Sequence, residues 1–134
     1  MNKKPVLILL LSFLALTVID IAKAATIPSA SLDKNTYLAG QTGYVSVSVY
    51  NDKSEKIRVT ELSVTINYYY TDGTVYVQKF FPASNTLPDE IPAGETETYQ
   101  IAISLPTNIA PGYINPRIDA STELWRPQSD SWSY

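Results

Sequence analysis

The side chains able to do chemistry in this 134-residue chain are few, because Cys and His are both absent. Thiolate and imidazole metal sites, disulfides, Cys nucleophiles and Ser-His triads are excluded at once. Carboxylates are the remaining candidates for catalysis. Glu95 and Glu97 are two residues apart and would share one face of a strand, whereas the adjacent Asp89 and Glu90 would leave a strand on opposite faces. A retaining glycosidase needs two carboxyls about 5 Å apart in a cleft, with one pKa raised by burial. Glu95 and Glu97 instead follow a turn at Gly94 and are interleaved with Thr96 and Thr98, a pattern that reads as solvated charge. Asn85, Asp89, Glu90 and Glu95 offer oxygens for calcium, but no spaced Asp-x-Asp loop gathers them. The expectation is therefore no catalytic residue, no metal and no cofactor.

Aromatic residues carry the stronger signal. There are ten Tyr, two Trp and three Phe. Rings with a polar tip beside amide side chains suit sugar stacking or protein contact. Tyr69, Tyr76 and Phe80 beside Asn67 and Gln78 form the candidate binding face, and Tyr44 and Tyr50 flank Ser46 and Ser48 on another strand. Ordinary cross-strand aromatic pairing is the competing structural reading.

The elements that must position these residues are strands. Apolar residues recur with period two at Val45, Val47 and Val49, at Leu62, Val64, Ile66, Tyr68 and Tyr70, at Tyr99, Ile101, Ile103 and Leu105, and at Ile114, Pro116, Ile118 and Ala120. No comparable helical period follows Ala24. Turn chemistry separates the runs at Ala39-Gly40, Asn51-Asp52, Asp72-Gly73, Pro92-Ala93-Gly94 and Pro111-Gly112. About seven strands follow, over Leu32–Leu38, Thr42–Tyr50, Ile57–Tyr70 with a break near Thr60, Thr74–Phe81, Leu87–Ile91, Thr96–Leu105 and Gly112–Leu124. The predicted core is Val45, Val47, Val49, Val64, Ile66, Tyr68, Val77, Ile101, Ile103, Leu105 and Ile118. Pro116 predicts that the last strand is an edge, since Pro cannot donate to a ladder.

Asp72-Gly73 is a favoured two-residue type I′ loop. Centring the hairpin there pairs Tyr70 with Val75, Tyr68 with Val77, Ile66 with Lys79 and Val64 with Phe81 on the core face. Tyr69 then faces Tyr76, Asn67 faces Gln78 and Thr65 faces Phe80 on the outer face. An exposed edge strand is also a template for self-association.

The succession Ala39-Gly40, Val45 to Asn51, Asp72-Gly73, Ile91-Pro92-Ala93-Gly94-Glu95-Thr96, Ile103 to Pro106 and Pro111-Gly112-Tyr113 resembles an immunoglobulin-like extracellular module. It is similar to the CARDB and NEW3-type β-sandwiches of bacterial and archaeal surface proteins, over roughly Leu32 to Ala120. The resemblance implies an all-β, immunoglobulin-like antiparallel β-sandwich and a non-catalytic adhesion or spacer module, usually one of several in a longer chain. A signal followed by one domain is the reading of this chain, which leaves a spacer nothing to separate.

The first 24 residues read as an address. Lys3 and Lys4 precede the apolar run Pro5 to Ile19, and Ala22-Lys23-Ala24 supplies a small-x-small cleavage pattern. Crossing a membrane takes about 20 apolar residues, so the run is short for a span, though an uncleaved segment would act as a membrane anchor. The expected organisation is a signal peptide over 1–24, an N-terminal extension over 25–30, the sandwich over 31–125 and a polar tail over 126–134. Removing 24 of 134 residues leaves 110, with seven basic against twelve acidic side chains, so the net charge of −3 becomes −5. That balance disfavours nucleic acid and anionic lipid as partners. No Asn-x-Ser/Thr sequon is present. The functional expectation is a secreted or cell-surface, non-enzymatic module binding a protein or glycan. A structural subunit of a filament, S-layer or particle coat is the alternative, and an extracellular hydrolase the third reading.

Overall fold

A computed structural model of the chain describes residues 25–114 and 116–134. The expected signal segment lies outside the described residues. The fold is all-β: eight strands in two antiparallel sheets, with no helix among the described residues. The strands are β1 (Thr26–Leu32), β2 (Thr42–Tyr50), β3 (Ile57–Tyr69), β4 (Val75–Phe80), β5 (Asp89–Ile91), β6 (Thr96–Ser104), β7 (Arg117–Arg126) and β8 (Ser131–Ser133). The smaller sheet runs β1-β2-β6. The larger runs β4-β3-β7-β8, and β5 pairs with β3 beside that path.

The period-two runs dictate which faces meet. Val45, Val47 and Val49 of β2 and Ile101 and Ile103 of β6 point inward from the smaller sheet. Leu62, Val64, Ile66 and Tyr68 of β3 and Ile118 and Ala120 of β7 point inward from the larger. All are buried in one sandwich-like core. Fully burying a Val, Leu or Ile side chain stabilises by about 1.5–3 kcal/mol, so this core is the principal source of stability in a chain without disulfides. Of the predicted core, Val77 alone is exposed, at 57%.

Several boundaries differ from expectation for local reasons. The first strand is Thr26–Leu32, not Leu32–Leu38, so the expected extension over 25–30 belongs to the sheet. Pro28 is accommodated because β1 is an edge strand and the register shifts between Thr26 and Ser29. Asp33 ends the strand: its carboxylate accepts the Tyr44 amide at 2.8 Å and the Tyr37 hydroxyl. Tyr37 is thereby turned into the core, fully buried, within a loop. The break near Thr60 is a register shift between Val59 and Glu61, where the Thr60 hydroxyl donates to the Ser121 carbonyl at 3.2 Å.

The last long strand is Arg117–Arg126. β3 pairs along one side of it, and β8 covers the other side only from Leu124 to Arg126, so among the described residues the stretch from Arg117 to Glu123 is an edge, as expected. Pro116 precedes its first residue, so no ladder bond is lost. The expected tail over 126–134 instead turns back at Asp130, whose φ is 50°, and pairs as β8 through Trp132 opposite Trp125.

Asn51, fully buried, ties loops together that are distant in sequence. Its Nδ2 donates to the carbonyls of Glu55 and Ile91, each at 2.9 Å, and its Oδ1 accepts the Lys53 amide at 2.9 Å. Its backbone amide and carbonyl meet Glu95 and Gly94, each at 3.0 Å. Every polar group of the residue is satisfied, as burial requires.

Candidate functional site

The β3–β4 hairpin decides what the outer face of the larger sheet displays. Its loop has three residues, Thr71-Asp72-Gly73. The Gly73 amide donates to the Tyr70 carbonyl and the Tyr70 amide to the Thr74 carbonyl, both at 2.9 Å. Gly73 has φ of 86° whereas Asp72 stays out of the left-handed region, a type I turn followed by a glycine bulge. Asp72 holds the turn by accepting the hydroxyl and the amide of Thr74 at 2.7 and 2.9 Å. Those two bonds lower its pKa below the ordinary carboxylate value.

The third loop residue moves the register by one from the expected pairing. Tyr68 is opposite Tyr76, Tyr69 opposite Val75, Ile66 opposite Gln78 and Val64 opposite Phe80. The five residues expected to share a face are therefore divided. Tyr69 and Asn67 are exposed on the outer face. Tyr76, Gln78 and Phe80 lie on the side of Tyr68, where Phe80 is buried. The Tyr76 ring packs 5.4 Å from Tyr68 and 5.5 Å from Tyr70, and the Tyr68 hydroxyl donates to Gln78 Oε1 at 3.1 Å. Burial first, then the neighbouring hydroxyls of Tyr70 and Tyr76, raises the Tyr68 pKa well above the usual phenol range. The larger rings gain more from cover than valines do. Val75 and Val77 are consequently turned outward with Tyr69, at 59%, 57% and 61% exposure.

The middle of this outer face is a groove. Lys79, Thr65 and Arg117 form one cross-strand row, Ser63 and Asp119 the next, and Glu61 and Ser121 the one after. The segment from Phe81 to Leu87 forms the other wall, enclosing about 730 Å³. Arg117 donates through Nε and Nη2 to Oδ2 of Asp119 at 3.0 and 2.9 Å, and Ser121 donates to Glu61 Oε2 at 3.4 Å. The hydroxyl of Thr65 is buried with no hydrogen-bond partner among the described residues.

At the far end of the face, Trp125 and Trp132 meet edge to face with centroids 5.2 Å apart. Lys56 lies 4.9 Å from the Trp125 ring and Arg58 lies 4.6 Å from the Trp132 ring. Arg58 pairs with Glu123 and Lys56 with Glu90, the latter at 3.1 Å. This cluster went unread in the sequence, where Trp132 sits in a polar stretch. The available signal was the pair of Trp residues flanking Pro127 to Asp130.

The carboxylates considered for chemistry are dispersed. Glu95 and Glu97 are exposed. Asp89 accepts the Tyr99 hydroxyl at 2.9 Å, and Glu90 faces Lys56. Burial, followed by the hydrogen bond to Asp89, raises the Tyr99 pKa well above the phenol range. Among the described residues no three acidic side chains converge on a point that could hold a metal. Tyr44 and Tyr50 are exposed on the outer face of β2.

The class this architecture defines is an all-β, sandwich-like domain. No family model matches the chain, and no curated protein matches it. Among solved structures, the chain is similar to Spo0M, a sporulation control protein from Bacillus subtilis, at 19% identity and a TM-score of 0.38 over 72% of this chain. The chain spans 47% of that structure's length.

Proposed function

We propose that the chain is an exported, non-enzymatic module of the immunoglobulin-like kind, related in type to CARDB and NEW3 sandwiches, that binds a partner through the outer face of its larger sheet. The observation that carries this reading is the strip of Tyr69, Val75 and Val77. Each is more than half exposed, and the three are contiguous on a hairpin whose second strand is a sheet edge. Monomeric proteins tend not to leave such strips bare, and edges are commonly blunted by charge or proline. Here Lys79 is the one charged residue on β4. Aliphatic side chains beside an open ladder suit a protein partner, with Tyr69 as its aromatic anchor.

A second reading, a structural subunit that assembles with copies of itself, draws on the same edge, since β4 can pair antiparallel with another β4. One experiment tests both. A photo-crosslinking amino acid replaces Val77 in the full chain, expressed in the source organism. An adduct to a different protein supports the binding module. A ladder of self-adducts supports the subunit. The absence of any adduct, with the variant folded and exported, contradicts both.

A further inference from the structure

We propose that the groove facing the Phe81 to Leu87 segment is a saccharide site that takes a short, neutral oligosaccharide. Its origin lies in the topology. β4 pairs with β3 from Val64 onward and β5 pairs with β3 from Ile57 to Val59. On that side no strand among the described residues is registered against Thr60 to Ser63, and the chain between β4 and β5 departs there to form the groove wall. Leu62, whose side chain is buried in the core, also lines the groove, so its backbone is what the groove meets. The volume of about 730 Å³ lies within the range of roughly 300–1,000 Å³ found for small-molecule sites.

The charges select the ligand class. Lys79 and Arg117 are balanced by Glu61 and Asp119, so the groove has no net charge with which to hold a phosphate, a polyanion or a cation. What it has is a dense alternation of donors and acceptors. Asp119 uses Oδ2 for Arg117, and among the described residues its Oδ1 and the Nη1 of Arg117 have no hydrogen-bond partner. Lys79 makes no ion pair among the described residues. A sugar hydroxyl both donates and accepts, so an array of hydroxyls matches such an alternation better than a ligand of one sign. Phe81, 63% exposed at the wall, supplies an apolar ring on which the C–H face of a pyranose can rest. This site is on the same face as the Tyr69, Val75 and Val77 strip but shares none of those residues, so either can fail alone.

The test is calorimetric titration of the full chain with soluble trisaccharides of glucose, mannose, galactose and N-acetylglucosamine. A glucuronate trisaccharide and inorganic sulfate serve as charged controls. The expected result is saturable binding of at least one neutral sugar at millimolar or lower concentration. Phe81→Ala and, separately, Asp119→Asn should each weaken it by about tenfold or more, while Val77→Lys leaves it unchanged. Should Asp119→Asn lower the unfolding midpoint, Glu61→Gln at an exposed position supplies the second variant. No binding by any neutral sugar, binding of the charged controls alone, or affinity unmoved in the groove variants overturns the proposal.

Discussion

Tyr76 packs against Tyr68 across the β3–β4 ladder, ring centroids 5.4 Å apart, while Tyr69, one residue further along β3, faces solvent from the other side of the sheet. The two hairpin tyrosines therefore have different jobs. Tyr76 also meets Tyr70, and aromatic pairs contribute about 0.5–1.5 kcal/mol each beyond area burial. Tyr76→Ala is expected to destabilise by about 1–3 kcal/mol, whereas Tyr69→Ala, on an exposed site, should stay within about 0.5 kcal/mol. Urea denaturation of both variants checks this. Equal losses would mean that the two rings share one environment.

Gly43 lies directly beneath the Tyr37 ring. A Cβ at position 43 would fall 2.1 Å from Tyr37 Cε1, inside any contact distance. Tyr37 is fully buried and its hydroxyl is anchored by Asp33, so the ring has nowhere to move. Overpacking of a tight core typically costs about 1–3 kcal/mol, and Gly43→Ala should lie at or above the top of that range. Tyr37→Leu in the same chain should recover part of the loss in a double-mutant cycle, because the two residues share one clash. Strictly additive losses would show that the contact is not the cause.

The strand pattern was legible because side chains alternate along a strand, and a half-buried sheet writes that alternation into Val45, Val47 and Val49 or Leu62, Val64 and Ile66. The hairpin register was not. Asp72-Gly73 serves a two-residue loop and a three-residue loop equally well, and the choice is made by which side chains of β4 gain cover. That is a tertiary comparison of Tyr76 and Phe80 with Val75 and Val77, and it divided the candidate face. Tyr37 and Asn51 were missed for a related reason: the space that Gly43 leaves for the Tyr37 ring and the Ile91 carbonyl that accepts from Asn51 both belong to other segments.

Asn51 offers a test of how far one polar side chain joins loops that are distant in sequence. Asn51→Ala orphans two carbonyls and one amide, and each buried orphan costs about 1–3 kcal/mol, so a loss of about 3 kcal/mol or more is expected. Asn51→Asp should be comparably damaging, because a carboxylate would face the Glu55 and Ile91 carbonyls. A midpoint shift in urea below a quarter of that size would show that water replaces the lost donor.

Stability should fall at both extremes of pH, by opposite linkages. Tyr37, Tyr68 and Tyr99 have folded pKa values raised above the ordinary 10.0, first by burial and then by their neighbours. Above pH 10 the unfolded chain loses these protons while the folded one keeps them, so the stabilisation is complete below pH 10 and declines as pH rises beyond it. Asp33 runs the other way. Burial raises its pKa, but the Tyr37 hydroxyl, the Tyr44 amide and Lys34 outweigh burial and set it below 3.8. Its contribution is present above pH 3.8 and is lost as pH falls through the folded value. Tyr37→Phe should flatten both limbs of a stability–pH curve; an unchanged alkaline limb would assign that loss to the other tyrosines.

The clasp formed by Trp125, Trp132, Lys56 and Arg58 accounts for why eight polar-rich residues at the C-terminal end fold back as β8. A three-residue strand has little ladder to hold it, and among the described residues only β7 pairs with it. The Trp132 ring supplies the rest, touching Trp125 edge to face and receiving Arg58 and Lys56 at 4.6 and 5.3 Å. Arg58 is held in place by Glu123, so its guanidinium meets the ring already oriented. Cation–π contacts at partly exposed sites are worth about 0.5–1 kcal/mol, and the Trp pair adds a similar amount. Trp132→Ala should therefore lower global stability by only about 1–2 kcal/mol, but release β8. Hydrogen exchange is the decisive measurement. Amides of Ser131 to Ser133, and those of Leu124 to Arg126 that face them, should exchange much faster in the variant, while β2, β3 and β6 keep their protection. Acceleration spread evenly over both sheets would mean that β8 is part of the cooperative core and not an appended strand.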